Sequence, residues 1–146
     1  MEIKWNPSMS VNEKTIDGHH MRLLDHLNKL SVLLSGKGLD IGPIRETLHF
    51  LRSYITEHFT YEVAYMEKHN YPGLEEHKKI HQEYINFYEN FKVKFDGLYS
   101  EKYLSFRKNE ELLEEARKFL SEWFVHHIAE TDRKYAEFIR ENSKKF

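Results

Sequence analysis

The sequence predicts an all-α fold: an antiparallel up-down-up-down four-helix bundle with an extended N-terminal arm. Three observations predict it. Apolar residues recur every three or four positions through four long segments, the spacing of a helix face. Short clusters of turn formers separate those segments. The 146 residues include only six Gly and three Pro, 40% are hydrophobic and 32% charged, a mixture that favours a helix-rich globule.

The elements follow in order within one domain over residues 1–146. Met1 to Asn12, with Trp5 and Pro7, reads as the arm, its indole packed on the bundle. It has no basic segment followed by an apolar run, so it is not a signal peptide. The first helix, about 13–35, carries Ile16, Leu23, Leu27, Leu30 and Leu34, with His20 in register. Gly36-Lys37-Gly38 and Gly42-Pro43 bracket the first break. The second helix, about 41–69, has Ile44, Leu48, Leu51, Ile55, Phe59 and Met66, with His58 and Glu62 in register.

Asn70-Tyr71-Pro72-Gly73 marks the second break. The third helix, about 73–95, steps through Leu74, His77, His81, Tyr84, Tyr88, Phe91 and Phe95. Asp96-Gly97 marks a third break, and residues 97–108 read equally as loop or helical extension. The fourth helix, about 109–142, starts from Asn109 as N-cap with Glu110-Glu111 in its first turn. Its stripe is Leu112, Ala116, Leu120, Trp123, His127 and Ile128, then Tyr135 and Phe138.

Composition narrows the function. A net charge of −2 gives no reason to expect nucleic acid or an anionic membrane as partner. No apolar run approaches the roughly 20 residues that span a bilayer. The absence of cysteine excludes disulfides, thiolate zinc sites and iron–sulfur clusters, and fits a cytoplasmic location.

The chemistry lies in what interrupts the apolar stripes. His20, His58, Glu62, His77, His81, His127 and Asp132 all fall where the pattern points inward, and unpartnered polar groups are expensive there. A metal that takes their lone pairs resolves the conflict. His58/Glu62 and His77/His81 are four apart and share a helix face. One such pair has little weight alone; donors on all four helices have much more. His127 and Asp132 are five apart, which turns them roughly 140° out of line on an ideal helix. A π-type widening, or an equivalent distortion, is expected between them. Taken alone, they read equally as a core histidine and a surface aspartate.

These motifs resemble the hemerythrin family, in family order and over nearly the whole chain. Ile16-Asp17-Gly18-His19-His20-Met21-Arg22-Leu23 is similar to its first-helix motif. His58-Phe59-Thr60-Tyr61-Glu62 with Met66 resembles the second, and His77-Lys78-Lys79-Ile80-His81, after Tyr71-Pro72, the third. Trp123-Phe124-Val125-His126-His127-Ile128 with Asp132 and Tyr135 resembles the fourth. The resemblance is strongest to bacterial single-domain members.

The resemblance implies two iron ions. His77, His81 and His127 would bind one, His20 and His58 the other. Glu62 and Asp132 would bridge them, together with an oxo or hydroxo group from solvent. Five imidazoles, two bridging carboxylates and one bridging oxygen fill eleven positions of about twelve that two six-coordinate irons offer. The free position lies on the iron with two histidines, where dioxygen would bind reversibly. Phe59, Trp123 and Phe124 are the candidate pocket lining, dry enough to slow proton delivery.

Ferritin-like di-iron proteins use four carboxylates and two Glu-x-x-His elements. This chain has one such spacing, Glu46-x-x-His49, off the apolar face, which favours an oxygen carrier, store or delivery protein over an enzyme. The alternatives are a module sensing oxygen, nitric oxide or redox state, and a di-iron oxidase, peroxidase or nitric oxide-reducing enzyme. The absence of a visible output domain weighs against the sensor, and no protein partner is indicated. Three positions depart from the family's usual residues: His19 for Gln, Val63 for Glu, Phe124 for Leu. Phe124 would crowd the open position. His19 could donate to a metal ligand from behind, but periodicity favours its facing a neighbouring helix or solvent. His26, His49 and His126 read as surface histidines and His69 as a helix-end residue.

Overall fold

The computed structural model describes residues 3–35, 41–100 and 122–143, with Glu114 and Lys118. The described residues form four helical rods. They are α1 (Lys14–Ser35), α2 (Ile41–Lys68), α3 (Leu74–Ser100), and a composite rod of α4 (Phe124–His126), a π-helical turn (His127–Thr131) and α5 (Asp132–Ser143). Among the described residues there is no strand. The first break at Gly36-Lys37-Gly38, the Asn109 cap, and Leu112, Ala116 and Leu120 lie outside them.

Neighbouring rods run antiparallel, as cross-rod pairs show. His19 and His26 of α1 meet His58 and Phe50 of α2. Arg45 and Arg52 of α2 pair with Asp96 and Glu89 of α3. His81 and Tyr84 of α3 meet His127 and Trp123 of the fourth rod.

Each rod passes through the same three layers. The large apolar core takes Leu23 and Leu27 from α1, Leu51 and Ile55 from α2, Tyr84 and Tyr88 from α3, and Phe124 and Ile128 from the fourth rod. A smaller apolar cluster at the opposite end holds Val11, Ile16, Met66 and Tyr135. Between the two, each rod contributes buried ionisable side chains: His20; His58 and Glu62; His77 and His81; His127 and Asp132. The fold is thus two hydrophobic plugs with a polar layer sealed between them.

The ends of the helices explain their register. Glu13 caps α1, its carboxylate accepting the Ile16 N–H at 2.7 Å. Asp17 accepts from the Val11 N–H and the Ser10 hydroxyl, tying the arm to the helix. Asn28 grips Ile3 in both directions, accepting its N–H at 2.8 Å and donating to its carbonyl at 2.7 Å. Trp5 packs against the large core as expected. The arm is not extended throughout: Asn6 caps a 3-10 turn at Pro7–Met9, which buries Met9.

α2 ends in a Schellman turn. Asn70 takes the left-handed conformation at φ 53°, its N–H bonds Glu67, and the Tyr71 N–H bonds the Met66 carbonyl at 3.0 Å. Pro72 then blocks further helix. The third helix differs from the expectation, since α3 continues through Asp96 and Gly97 to Ser100. A helical glycine costs only about 1 kcal/mol. Burial of Phe95 and the Arg45–Asp96 pair favour helix at that point.

Among Gly18, Gly73 and Gly97, close packing demands glycine at Gly73. A Cβ there would stand 2.7 Å from the Tyr71 ring, which itself packs edge-on against Tyr135 and Phe138. Gly73→Ala should therefore cost about 1–3 kcal/mol, the usual penalty of overpacking. In a Tyr71→Ala background the same change should cost almost nothing. Denaturant midpoints of the four variants in this cycle measure both.

Candidate metal centre

The polar layer is built by helix register. His20 sits four residues after Ile16 and three before Leu23, so the spacing that buries those two also buries the imidazole. His58 and Glu62, and His77 and His81, repeat the logic at i and i+4. His127 and Asp132 meet through the expected backbone widening. The Asp132 N–H bonds the His127 carbonyl five residues back, and the extra residue in the turn restores a shared face.

All seven side chains converge. Glu62 Oε1 lies 2.9 Å from Nε2 of both His77 and His81, while Oε2 lies 3.3 Å from His58 Nε2 and 3.6 Å from His20 Nε2. Asp132 divides its oxygens the same way. Oδ1 stands 3.0 Å from His127 Nε2 and 3.1 Å from His77 Nε2; Oδ2 stands 3.1 Å from His20 Nε2. Two donor groups result, each with its ligand atoms within 4.8 Å of one another: His77, His81, His127, Glu62 and Asp132, and His20, His58, Glu62 and Asp132. Both carboxylates belong to both groups.

Hydrogen bonding within the protein leaves this layer incomplete. Both Asp132 oxygens and the Nε2 atoms of His20 and His58 are buried and lack partners in hydrogen-bond geometry, close as they are. The His81 and His127 Nε2 atoms face each other at 3.2 Å. Orphaned lone pairs aimed at common points suit cations, and imidazole with carboxylate suits transition metals. The residues present fit a metal pair.

Electrostatics are correspondingly perturbed. Burial opposes charge on His20 and His77, but the Asp132 and Glu62 carboxylates outweigh it and push both up to about 9. Burial brings His81 down to about 4, with His127 and His77 adding to the effect against Glu62. Burial also lowers His58. The imidazoles hold Glu62 and Asp132 well below the usual carboxylate range despite their burial.

Aromatic rings close the layer. Phe59 stacks flat on His81 with centroids 3.8 Å apart, and Trp123 lies parallel to His127 at 4.7 Å. Phe124, fully buried, stands 6.3 Å from His20 and 6.2 Å from His58. Glu46 and His49 are exposed and distant from this chemistry, as their spacing suggested. His126 is exposed, and His69 closes the end of α2 beside Tyr65.

Two contributors were seen in the sequence but not assigned to the site. Tyr135 stacks on His77 and donates its hydroxyl to Glu62 Oε2 at 3.1 Å. Its place three residues after Asp132 was the available signal. His19 is half-buried and not merely turned to a helix surface: its Nδ1 lies 3.2 Å from His58 Nδ1. The neighbouring helix that periodicity allowed it to face is α2, and its ring reaches sideways to His58 there.

Residues 12–139 match the family described as Hemerythrin HHE cation binding domain. The chain belongs to the hemerythrin family. It is 25% identical to a bacteriohemerythrin of Stenotrophomonas maltophilia over 97% of its own length and 84% of the relative's. Identity to a bacteriohemerythrin of Pseudomonas aeruginosa is 27%, over 93% of this chain and 80% of that one. Identity to the myohemerythrin of Theromyzon tessulatum is 29%, covering 90% of this chain and 89% of the relative. Among the described residues no helix is long and apolar enough to cross a membrane.

The charge balance of this hemerythrin layer sets a pH profile for the metal-free protein. Lowered His81 and His58 favour the unfolded state as pH falls below 6.5. Raised His20 and His77 give stability that is complete below 6.5 and lost as pH climbs through about 9. Metal-free protein should therefore be most stable near pH 6.5 and weaken on both sides. Metal-loaded protein should lack the alkaline fall, because the metal has already displaced those protons. Unfolding midpoints from pH 4 to 9.5, with and without metal, check this.

Proposed function

We propose that this chain is a non-haem di-iron protein that binds dioxygen reversibly, serving as a carrier, store or delivery protein. The observation that supports this most is the asymmetry of the donor groups: three imidazoles on one side, two on the other, with both carboxylates shared. His77, His81 and His127 would hold one iron and His20 and His58 the other, with Glu62 and Asp132 common to both. Iron so held would supply redox electrons, and the two-histidine side offers it one protein donor fewer than the other. The hemerythrin resemblance implies the same metal and the same gas.

The remaining side chains fit a binder that returns its ligand unchanged. Phe124 walls the two-histidine side, while Phe59 and Trp123 cover the three-histidine side. These rings exclude water and so slow the proton transfer that would release reduced oxygen. Tyr135 keeps its proton: burial, with Glu62 and Asp132 beside it, raises its pKa well above the ordinary tyrosine value. It therefore remains a hydrogen-bond donor that orients Glu62. Two carboxylates among five imidazoles supply less negative charge than a four-carboxylate site, which disfavours highly oxidised iron. A cysteine-free chain also suits a reducing cytoplasm.

Anaerobic loading with ferrous iron should give two irons per chain and a nearly colourless solution. Air should bring up a visible charge-transfer band that disappears under inert gas, repeatedly. Irreversible bleaching on the first exposure would contradict the reading. Glu62→Ala, which removes a donor from both groups, should cut retained iron at least 10-fold, while His49→Ala at the exposed position should leave it unchanged.

A further inference from the structure

Among the described residues, His58 is the one donor whose outward-facing nitrogen meets a second imidazole. Its Nδ1 and the Nδ1 of His19 are 3.2 Å apart, with the ring planes 87° apart. The outward Nδ1 atoms of His20, His81 and His127 are buried and have no hydrogen-bond partner among the described residues. Two ring nitrogens at 3.2 Å need one N–H and one lone pair between them. The chemistry of the layer decides which nitrogen has which.

His58 Nε2 faces Glu62 Oε2 and belongs to the two-histidine donor group. A cation there takes the Nε2 lone pair, so the single ring proton of neutral His58 must sit on Nδ1. That N–H points away from the centre and needs an acceptor. His19 Nδ1 is in place to accept it, with its own proton then on Nε2.

His19 is itself held. Tyr54 and Tyr61 of α2 pack edge-on against its ring, each with centroids 5.5 Å away. The Tyr61 hydroxyl in turn donates to Glu13, the cap of α1. The ring is fixed by packing before any metal arrives.

We propose that His19 is a positioning residue for the two-histidine metal position, accepting the His58 Nδ1–H and so fixing the tautomer and ring angle that aim Nε2 inward. This rests on the metal-centre reading above and adds a residue outside the seven donors. Ligand-orienting hydrogen bonds of this kind change metal affinity by about 10- to 100-fold. The three-histidine position has no contact with His19, so the effect is confined to one metal of the two.

Anaerobic titration with cobalt(II), in competition with a chelator, tests it on the full chain. Wild-type protein should take up two equivalents. His19→Ala should weaken one by about 10- to 100-fold and leave the other unchanged. His19→Gln should keep both within a few-fold, because an amide oxygen can still accept the N–H. Uptake of both equivalents by His19→Ala at wild-type affinity would overturn the proposal, as would His19→Gln weakened as much as His19→Ala. Nitrogen-15 spectra of zinc-loaded wild type provide a test that needs no variant. The shared proton should reside on His58 Nδ1, and finding it on His19 Nδ1 would overturn the assignment. Wild type that takes up fewer than two equivalents would instead refute the metal-centre reading itself.

Discussion

Two carboxylates with no solvent exposure, Glu62 and Asp132, stand at the middle of the bundle, and the arrangement of the rest answers to them. Taking an isolated carboxylate out of water costs far more than a small domain's net stability. Each must therefore be neutralised in place. In the metal-free chain five imidazoles do this in part, with His20, His77 and His127 drawn toward their charged form. The neutralisation is imperfect, as the orphaned Asp132 oxygens show. Cations at the two points where the Nε2 atoms converge would complete it.

Delivering seven donors to one layer constrains every rod. In α1, α2 and α3 the ordinary helix repeat suffices, since a step of four keeps a face. The fourth rod needs a donor five residues on, and the π turn at His127–Thr131 provides it by absorbing one residue. The apolar plugs on either side make the layer dry. They also hold the rods in axial register, because sliding one rod would carry His or Glu into the large core. The arm is clamped at both ends of the layer, through Asp17 where Val11 and Ile16 cover it and through Asn28, which holds Ile3 against the large core.

Much of this was legible in the residues. The apolar spacing and the turn clusters marked the rods because burial and backbone freedom are local properties. The donors stood out because ionisable groups break an apolar stripe. Even the π turn followed from the spacing of His127 and Asp132, since a shared site and an ideal helix were incompatible. What the spacing did not carry was determined across rods. The contact of His19 depends on how closely α1 approaches α2, and the hydroxyl of Tyr135 on where Glu62 comes to rest. Asp96-Gly97 looked like a stop, yet helix runs through it to Ser100, because a weak local preference lost to Phe95 burial and a cross-rod ion pair.

On the proposed function Glu62 and Asp132 would each serve two cations at once. Anomalous scattering at the iron edge from crystals of iron-loaded protein tests it most directly. Two separate peaks should lie in the polar layer, each touched by one oxygen of Glu62 and one of Asp132. A single peak, or two peaks of which one lacks either carboxylate, would contradict the account.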